Sequence, residues 1–332
     1  MKTKHAKSPC CHVQVYRFGH RRRQCSFCKR TWSIRRKKRG RPNVRIPPNI
    51  LNQVFLQKYT LSQLVQRRSG VRLPSLRYRF RQALRRFVAT PSPQKFPSGP
   101  LILLSDGLWF HFHDKPWILY LTALKSCSGK TAVFLDPILL PEKEGASKWK
   151  HVFATIPAEP RARIRAMVVD NLNGMTTIAQ EEGWILQLCH FHLTLKLQIQ
   201  RGRKRYTLRG GNVREEIYQL ILKSLETTDK MHLQSLLERL TYLANTFCGT
   251  KRIQASVREF MQTIKYYRAY LTHPKLDMPS TTNTVEAMCC IIRDLVRRNR
   301  CSSSPKSLLL WTTALIRLRK ALTCNGKQHQ QI

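Results

Sequence analysis

Charge divides this chain at about residue 100. The first 105 residues contain 26 lysines and arginines and no aspartate or glutamate, and the whole chain of 332 residues has a net charge of +42. Repulsion on that scale opposes a compact state unless a polyanion offsets it. Nucleic acid fits best, because each phosphate that Lys or Arg neutralises releases condensed counterions. The basic part is therefore predicted to bind double-stranded DNA.

The composition on each side of this boundary predicts several folding units. Hydrophobic residues make up 42% of the chain, as in ordinary globular proteins, and a chain of this length usually forms two or three units. The Pro, Ser and Gly residues of 90–100 indicate a linker. The predicted order is a zinc ribbon at 1–36, a basic linker at 37–49, a helix-turn-helix at 50–90, the first part of an α/β core at 101–192, a helical stretch at 193–280 and the C-terminal helices of the core at 281–325.

Membrane proteins and disulfide-stabilised secreted proteins fit the sequence less well. The longest apolar runs are too short to span a bilayer, and no apolar stretch follows the basic residues 1–7, so no secretory signal is expected. Eleven cysteines without such a signal indicate reduced thiols. We therefore expect a cytoplasmic protein, associated with the nucleoid in a prokaryote or located in the nucleus in a eukaryote.

Cysteines and histidines concentrate near the N-terminus. Cys25 and Cys28 form a CxxC pair, and two thiolates at this spacing on a tight turn can bind one Zn²⁺. No second CxxC lies upstream, so the third ligand is Cys11 or Cys10, of which we favour Cys11. The alternative is a pair of reduced surface cysteines that bind no metal. The candidates for the fourth ligand are Cys10, His5, His12 and His20.

Three basic segments supply the predicted DNA contacts. In the first segment, arginines beside the CxxC pair interleave with aromatic residues, which suits contacts to DNA phosphates. The second is the extended basic segment 35–42, in which Gly40 permits close approach to a DNA minor groove. A solvated linker explains 39–42 nearly as well. Apolar spacing in 50–64 and 73–88 predicts two helices with Gly70 in the turn between them. The predicted contacts are Arg21, Arg22, Arg23, Arg36, Lys37, Lys38, Arg39, Arg41, Arg77 and Arg81.

Residues from 101 onward alternate between short apolar strands and amphipathic helices. Three strands followed by a helix, a strand, a helix and a strand predict a mixed five-stranded α/β sheet with helices packed on it. The predicted strands are 101–112, 117–125, 131–135, 164–169 and 185–189. The predicted helices are 147–155, 175–182, 214–225, 229–247, 252–271, 284–299 and 305–322.

Acidic residues are scarce, so those at the ends of apolar strands stand out. Asp106 follows the run 101–105 in the first strand, and Asp170 follows the fourth strand. These two strands should lie side by side, and two converging carboxylates repel each other unless a cation such as Mg²⁺ binds between them. Glu286, beside the apolar stripe of helix 284–299, is the predicted third acid. Each acid alone is explained as well by a turn cap or a favourable interaction with a helix dipole. The rival acids are Asp114, Asp136, Asp277 and Asp294.

Three motifs together resemble one enzyme family. Asp106-Gly107 and Asp170-Asn171 lie on strands one and four, the CxxH motif Cys189–His192 follows the fifth strand, and Glu286 follows Thr281-Thr282-Asn283-Thr284-Val285. The chain resembles DDE transposases with a ribonuclease-H-like core, particularly the Mutator-like superfamily and related prokaryotic insertion-sequence transposases. Many of the prokaryotic relatives carry an N-terminal zinc ribbon and helix-turn-helix. The resemblance spans nearly the whole chain.

The resemblance implies a metal-dependent DNA strand cleavage and strand transfer. Asp106, Asp170 and Glu286 would be the catalytic acids and would hold two Mg²⁺, or Mn²⁺; one Zn²⁺ would bind the ribbon. Cys189 and His192 would be a family signature near the active site, although a buried Cys and a helix-capping His explain them too. The stretch 193–280 would be a helical insertion, and pairing of two element ends would require a homodimer or larger oligomer.

Three other functions remain compatible with the sequence. The first is a catalytically inactive, domesticated transposase that only binds DNA. The second is a zinc-ribbon transcription regulator without catalytic activity, although this function would not account for the α/β region from residue 101 onward. The third is a ribonuclease-H-type nuclease acting on RNA–DNA hybrids. The predicted zinc ribbon and helix-turn-helix, which would recognise the ends of a DNA element, argue against it.

Overall fold

The computed structural model describes residue 8 and residues 10–18, 22–33, 49–67, 72–91, 95–202, 210–246, 251–299 and 303–323. It divides the chain into two compact units, Met1–Pro47 and Pro48–Ile332. The second unit therefore contains both the region predicted as a helix-turn-helix and the region predicted as an α/β core.

The first unit contains a three-stranded antiparallel sheet. Its strands are β1 (Val15–Arg17), β2 (Arg22–Cys25) and β3 (Thr31–Ser33), in the order β1-β2-β3. β2 and β3 are joined by a turn in which Lys29 takes a positive φ of 59°. This turn carries Cys28 back toward Cys25, the last residue of β2.

Three short helices begin the second unit where two were predicted. They are α1 (Ile50–Phe55), α2 (Leu61–Gln66) and α3 (Leu73–Ala89). The predicted helix 50–64 is interrupted because Lys58 adopts a positive φ of 62° and Thr60 starts a new helix through a capping box with Gln63. The turn predicted at Gly70 lies outside the described residues.

The second unit is built on a mixed seven-stranded sheet. The five predicted strands are present, as β4 (Leu101–Phe112), β5 (Lys115–Ser126), β6 (Thr131–Phe134), β8 (Ile164–Val169) and β9 (Ile185–Leu188). Their order is β6-β5-β4-β8-β9, antiparallel from β6 to β4 and parallel from β4 to β9.

Two strands of this sheet were not predicted. β7 (Ile138–Pro141) pairs with β5, and β10 (Ala321–Thr323) pairs with β6. The sequence predicted a helix to residue 322, but the helix ends at Arg319, where Lys320 takes a positive φ of 61° and the chain turns into β10.

Ten helices follow β7 in the described part of the chain. Two were not predicted: the short α5, and α7, which begins inside the CxxH motif. α12 packs on β4 through Val285, Met288, Ile292 and Leu295, the stripe that the sequence predicted. The helices are α4 (Ala146–Ala154), α5 (Ala158–Ala162), α6 (Met175–Glu182), α7 (His190–Arg201), α8 (Gly211–Glu226), α9 (Lys230–Thr246), α10 (Lys251–Tyr267), α11 (Ala269–Thr272), α12 (Asn283–Asn299) and α13 (Pro305–Arg319).

Packing joins the first three helices to the rest of the second unit. α3 buries Leu76, Phe80 and Leu84 on one face and packs against α13. The rings of Phe55, Phe80 and Trp311 form one aromatic cluster, with centroids 5.0–6.2 Å apart. None of the helices that the structure describes has the length and apolar character needed to cross a membrane.

Candidate functional site

Three side chains from distant parts of the sequence converge at one edge of the large sheet. Asp106 lies on β4, His192 in the first turn of α7 and Glu286 in the first turn of α12. His192 Nε2 is 2.9 Å from Glu286 Oε1 and 3.9 Å from Asp106 Oδ1. One potential ligand atom from each residue lies within 4.8 Å of the other two, so the group could hold a metal ion.

Close packing of these groups shifts their protonation. Burial and then the charge of Glu286 raise the pKa of Asp106 to about 7. Burial also opposes ionisation of Glu286, but its hydrogen bond to His192 and the imidazolium charge lower its pKa. Burial disfavours the charged form of His192, yet interactions with Cys189 and Glu286 raise its pKa to about 11. The two carboxyl groups therefore share one site in which a cation is favoured.

The CxxH motif connects the start of α7 to the start of α12. Cys189 is buried and its Sγ accepts a hydrogen bond from the backbone N–H of Thr282 at 3.3 Å, with the Thr282 hydroxyl 3.2 Å away. One helical turn further along each helix, His192 meets Glu286. We call these two contacts the CxxH clasp. His192 contacts an acid of the site and does not merely cap a helix.

Asp170 lies beside this group without joining it. β4 and β8 are parallel with Leu104 opposite Val168, so Asp106 and Asp170 each lie two residues beyond a register pair. Asp170 is exposed, and its Oδ1 accepts a hydrogen bond from the backbone N–H of Asn171 at 2.6 Å. It is absent from the convergent set of three described residues, but its negative charge raises the pKa of His192.

A fourth carboxylate, Glu144, was not found from the sequence. Its Oε1 accepts a hydrogen bond from Trp149 Nε1 at 2.9 Å, and a Cβ atom added to Gly107 would lie 2.9 Å from the same oxygen. Burial raises the pKa of Glu144, and the charge of Asp170 adds to that rise. Glu144 lies in the loop before α4, and no strand end or sequence motif there indicated a functional residue. Gly107, which leaves room for the carboxylate, was the one available signal.

Cys289 is a second residue that the sequence reasoning missed. Its thiol lies 3.6 Å from Asp106 Oδ2, one turn after Glu286 on α12. Burial and the charge of Asp106 raise the pKa of this thiol, so it is a neutral neighbour of the carboxylate. The apolar stripe of α12 could have revealed it, since Cys289 directly follows Met288 on that stripe.

The rival acids have structural roles in the described residues. Arg317 pairs with Asp136, with its Nη2 2.6 Å from Asp136 Oδ2, and its Nη1 also donates to the carbonyls of Val88 and Thr90 at the end of α3. Asp136 therefore helps to hold α3 on the sheet. The others are Asp114, which has a positive φ of 61° in the β4–β5 turn, Asp277, which pairs with Lys125, and Asp294, which pairs with Lys58, Arg297 and Arg298.

Four cysteine sulfurs converge in the first unit. The Sγ atoms of Cys10, Cys11, Cys25 and Cys28 lie within 4.8 Å of one another, with 3.4 Å between Cys10 and Cys28. The structure thus places Cys10 in the fourth position, and His12 is not part of the group. His5 and His20 lie outside the described residues.

The surroundings of the cluster shift the pKa values of two of its thiols in opposite directions. Burial alone would raise the pKa of Cys25, but its hydrogen bond with Ser8 and its interactions with the backbone N–H groups of Cys28 and Phe27 lower it to about 6. Interaction with Cys28, then burial, raises the pKa of Cys11 to about 12. Thiolate is the form that ligates metal, and a bound cation would favour it at every sulfur.

One face of α3 is basic. Arg77, Arg81 and Arg85 follow each other at one-turn spacing and are exposed, as is Tyr78. Arg77 and Arg81 were predicted as DNA contacts; Arg85 was not. Arg22 and Arg23 lie on β2. The other predicted contacts, Arg21, Arg36, Lys37, Lys38, Arg39 and Arg41, lie outside the described residues.

Comparison with protein families and curated proteins does not assign the chain to a family. No protein-family model matches the chain, and no curated protein is significantly similar to it. The functional argument therefore rests on the geometry of the acid site, the cysteine cluster and the charge.

Proposed function

We propose that this protein is a DDE transposase that recognises the ends of a mobile DNA element and catalyses metal-dependent strand cleavage and strand transfer. The observation that carries the proposal is the convergence of Asp106 and Glu286 from β4 and α12, with Asp170 directly after the end of the neighbouring strand β8. Phosphoryl transfer needs acids placed in this way, since they hold the cations that act on the phosphate.

The sheet supports a ribonuclease-H-like core. Strands β6, β5 and β4 form an antiparallel meander, and β8 and β9 continue the sheet in parallel on the far side of β4. The first acid is on the central strand β4, the second follows its parallel neighbour, and the third comes from a helix packed on β4. The helices between the second and third acids, α7 to α11, correspond to a helical insertion.

The donor set of the acid site fits Mg²⁺ or Mn²⁺. Carboxylate oxygens are the ligands these cations prefer, and burial together with the nearby charge of Glu286 raises the pKa of Asp106. Asp106, Asp170 and Glu286 would hold the cations. Bound cations would activate a water or a DNA 3′-hydroxyl and stabilise the leaving oxygen.

His192 has a positioning role in this proposal. Its imidazolium contacts Glu286 and lies near Asp106, so it keeps Glu286 ionised and directed toward the other acid. Cys189 fixes the preceding turn of the same connection through Thr282. The CxxH clasp thus holds α12, and the acid on it, in register with β4.

The cysteine cluster fits one structural Zn²⁺. Sulfurs at tetrahedral Zn–S bonds of about 2.3 Å are separated by about 3.8 Å, close to the 3.4 Å between Cys10 and Cys28. A zinc ribbon of Cys10, Cys11, Cys25 and Cys28 would order the first unit. With the arginine face of α3, it would bind the double-stranded ends of the element, and pairing two ends would require a dimer or larger assembly.

Strand cleavage tests the proposal. The substrate is duplex DNA that carries the inverted repeats bordering the coding sequence, incubated with Mg²⁺ and with wild type, Asp106→Ala or Asp170→Ala. We expect nicking at the repeat ends by wild type only. The matched control is Asp114→Ala, an acid in the β4–β5 turn that should cleave like wild type. Equal cleavage by wild type and Asp106→Ala would refute the assignment, and tight DNA binding without cleavage would favour the inactive DNA-binding protein.

A further inference from the structure

Two turns of the first unit close with the same backbone hydrogen bonds. We call residues 8–13, of which residue 9 lies outside the described part, the first knuckle and residues 25–30 the second knuckle. In each, the N–H of the first residue donates to the carbonyl of the sixth, at 3.1 and 2.9 Å, and the N–H of the fifth donates to the carbonyl of the first, at 3.1 and 3.2 Å. The fifth residue, His12 or Lys29, has a positive φ of 51° or 59°. The two knuckles therefore match position by position.

The knuckles differ in their first side chain. The second knuckle begins with Cys25 and has Cys28 as its fourth residue, whereas the first begins with Ser8 and has Cys11 as its fourth residue. A regular knuckle of the CxxC type supplies a thiolate from both of these positions to one zinc. Ser8 therefore occupies the position at which the first knuckle would otherwise carry a metal ligand.

The Ser8 hydroxyl lies against the cysteine cluster. Ser8 is fully buried, its Oγ is 3.5 Å from Cys25 Sγ, and it also interacts with the Cys10 thiol. The same oxygen accepts hydrogen bonds from the backbone N–H groups of Cys11 and Val13, at 3.2 and 3.3 Å. Sulfurs around a tetrahedral zinc are about 3.8 Å apart. An atom at the position of Ser8 Oγ is thus close to the spacing that two zinc ligands require.

Cys10 contributes its sulfur from a different position. It is the third residue of the first knuckle, and its counterpart in the second knuckle is Phe27, whose side chain is 78% exposed. The Cys10 sulfur is nevertheless 3.4 Å from Cys28 Sγ and belongs to the cluster. The position that faces solvent in one knuckle therefore supplies the fourth sulfur in the other.

We propose that the zinc site has one replaceable ligand, Cys10, which takes the place of the thiol that the first knuckle lacks at Ser8. The other three ligands, Cys11, Cys25 and Cys28, occupy the regular positions of the two knuckles. The inference rests on the zinc binding that is part of the proposed function, and it does not depend on the DNA chemistry. A thiol at residue 8 should consequently displace Cys10 from the metal.

Titrations of the full chain with Zn²⁺ and Co²⁺ test the assignment. The thiolate-to-cobalt charge-transfer absorption grows with the number of bound thiolates. We expect four thiolates in wild type, and three in Cys10→Ser with zinc affinity at least about tenfold lower, because losing even a group that only supports a ligand costs about 10- to 100-fold. Ser8→Cys/Cys10→Ser should regain four thiolates and the wild-type affinity. The matched control, Ser26→Cys/Cys10→Ser, adds a thiol at the second residue of the second knuckle and should behave like Cys10→Ser.

The single variant Ser8→Cys gives an independent measurement. It keeps all four native thiols, and iodoacetamide labelling followed by mass spectrometry identifies the free one, since a metal-bound thiolate is protected. With zinc bound, Cys10 should be alkylated in this variant and protected in wild type. Affinity of Ser8→Cys/Cys10→Ser no higher than that of its control, or protection of Cys10 in Ser8→Cys, would overturn the assignment. Wild type that binds no metal would refute the zinc site together with this inference, whereas failure of strand cleavage would count against the DNA chemistry alone.

Discussion

The two candidate metal sites are built in opposite ways. The cysteine cluster joins residues at most 18 positions apart, in a unit whose only buried described residues are Ser8 and Cys25. The acid site joins Asp106 to Glu286 across 180 positions, on a sheet whose strands β4, β5 and β8 contain long runs of buried, mostly apolar residues. In the first unit the proposed metal site would stabilise the fold, whereas in the second unit the fold positions the residues of the site.

This difference decides what a lost ligand does. If the first unit binds the proposed zinc, a unit of this size without an apolar core would gain its stability from the metal, because the unfolded chain has no preformed site. The acid site costs stability, since it confines two carboxylates in partly buried positions. We therefore expect changes to the cysteines to unfold their unit and changes to the acids to leave the fold intact.

The largest effect is expected from loss of the proposed zinc site. Cys25→Ser removes a buried ligand, and the binding free energy at stake is about 10–16 kcal/mol for structural zinc. We expect the variant to contain no zinc and to lose the dispersed amide NMR signals of residues 10–33, while the unfolding transition of the second unit stays in place. Metal analysis and two-dimensional NMR measure both.

Cys290→Ser is the matched control for this prediction. Cys290 is an exposed cysteine on α12 that takes no part in the cluster, so the variant should keep one equivalent of zinc and the wild-type spectrum. A Cys25→Ser protein with a folded, zinc-free first unit would show that the sheet does not depend on metal.

At the acid site we expect a smaller change in the free energy of unfolding, and of opposite sign: replacing Asp106 should stabilise the protein. The pKa of Asp106 rises from 3.8 to about 7 on folding, so the folded protein binds a proton that the unfolded chain has released. Without a divalent cation, stability should therefore fall as the pH rises from about 4 to 7. Asp106→Asn should lack this slope and be more stable than wild type at pH 7.5, by about 1–3 kcal/mol. Urea unfolding in EDTA at pH 5 and 7.5 tests it, and an unchanged slope would contradict it.

The same contrast explains which parts of the fold could be predicted. Strands β4, β5 and β8 are apolar runs with clear boundaries, so their position and pairing followed from the sequence. β7 has four half-buried or exposed residues, and β10 depends on the left-handed conformation of Lys320. The break between α1 and α2 depends on Lys58 in the same way. Conformations of this kind are set by tertiary packing and leave no periodicity in the sequence.

The candidate sites show the same limit. Asp106, Glu286 and Cys25 occupy strand ends, motifs or fixed spacings, and those signals are local. Cys289 reaches Asp106 from the second turn of a helix, and Glu144 reaches Gly107 from a loop; only the packed structure brings them there. The choice of Cys10 over His12 likewise depended on the path of the turn before β1.

The CxxH clasp gives a third prediction, with a smaller expected change in stability than at the cysteine cluster or at Asp106. Cys189→Ala and Thr282→Ala each remove one partner of a buried contact, and a double-mutant cycle should give a coupling of about 0.5–2 kcal/mol in unfolding free energy.

His192→Gln should keep most of the stability and lower the cleavage rate about 10²-fold, because Glu286 loses its positive neighbour. Unfolding in urea and single-turnover cleavage separate the two effects. Full activity of His192→Gln would remove its positioning role.

The smallest effect should come from Glu144. In Glu144→Gln the amide oxygen still accepts the hydrogen bond from Trp149, so the free energy of unfolding should change by less than about 1 kcal/mol. One negative charge is lost near Asp170, and a partly screened charge at that range should alter Mn²⁺ affinity by about two- to fivefold. Calorimetric titration of Mn²⁺ measures it, with Glu142→Gln, an exposed acid two residues earlier, as the control. Equal affinities in the two variants would limit Glu144 to a structural role, because only a charge that acts on the cation site distinguishes it from its neighbour.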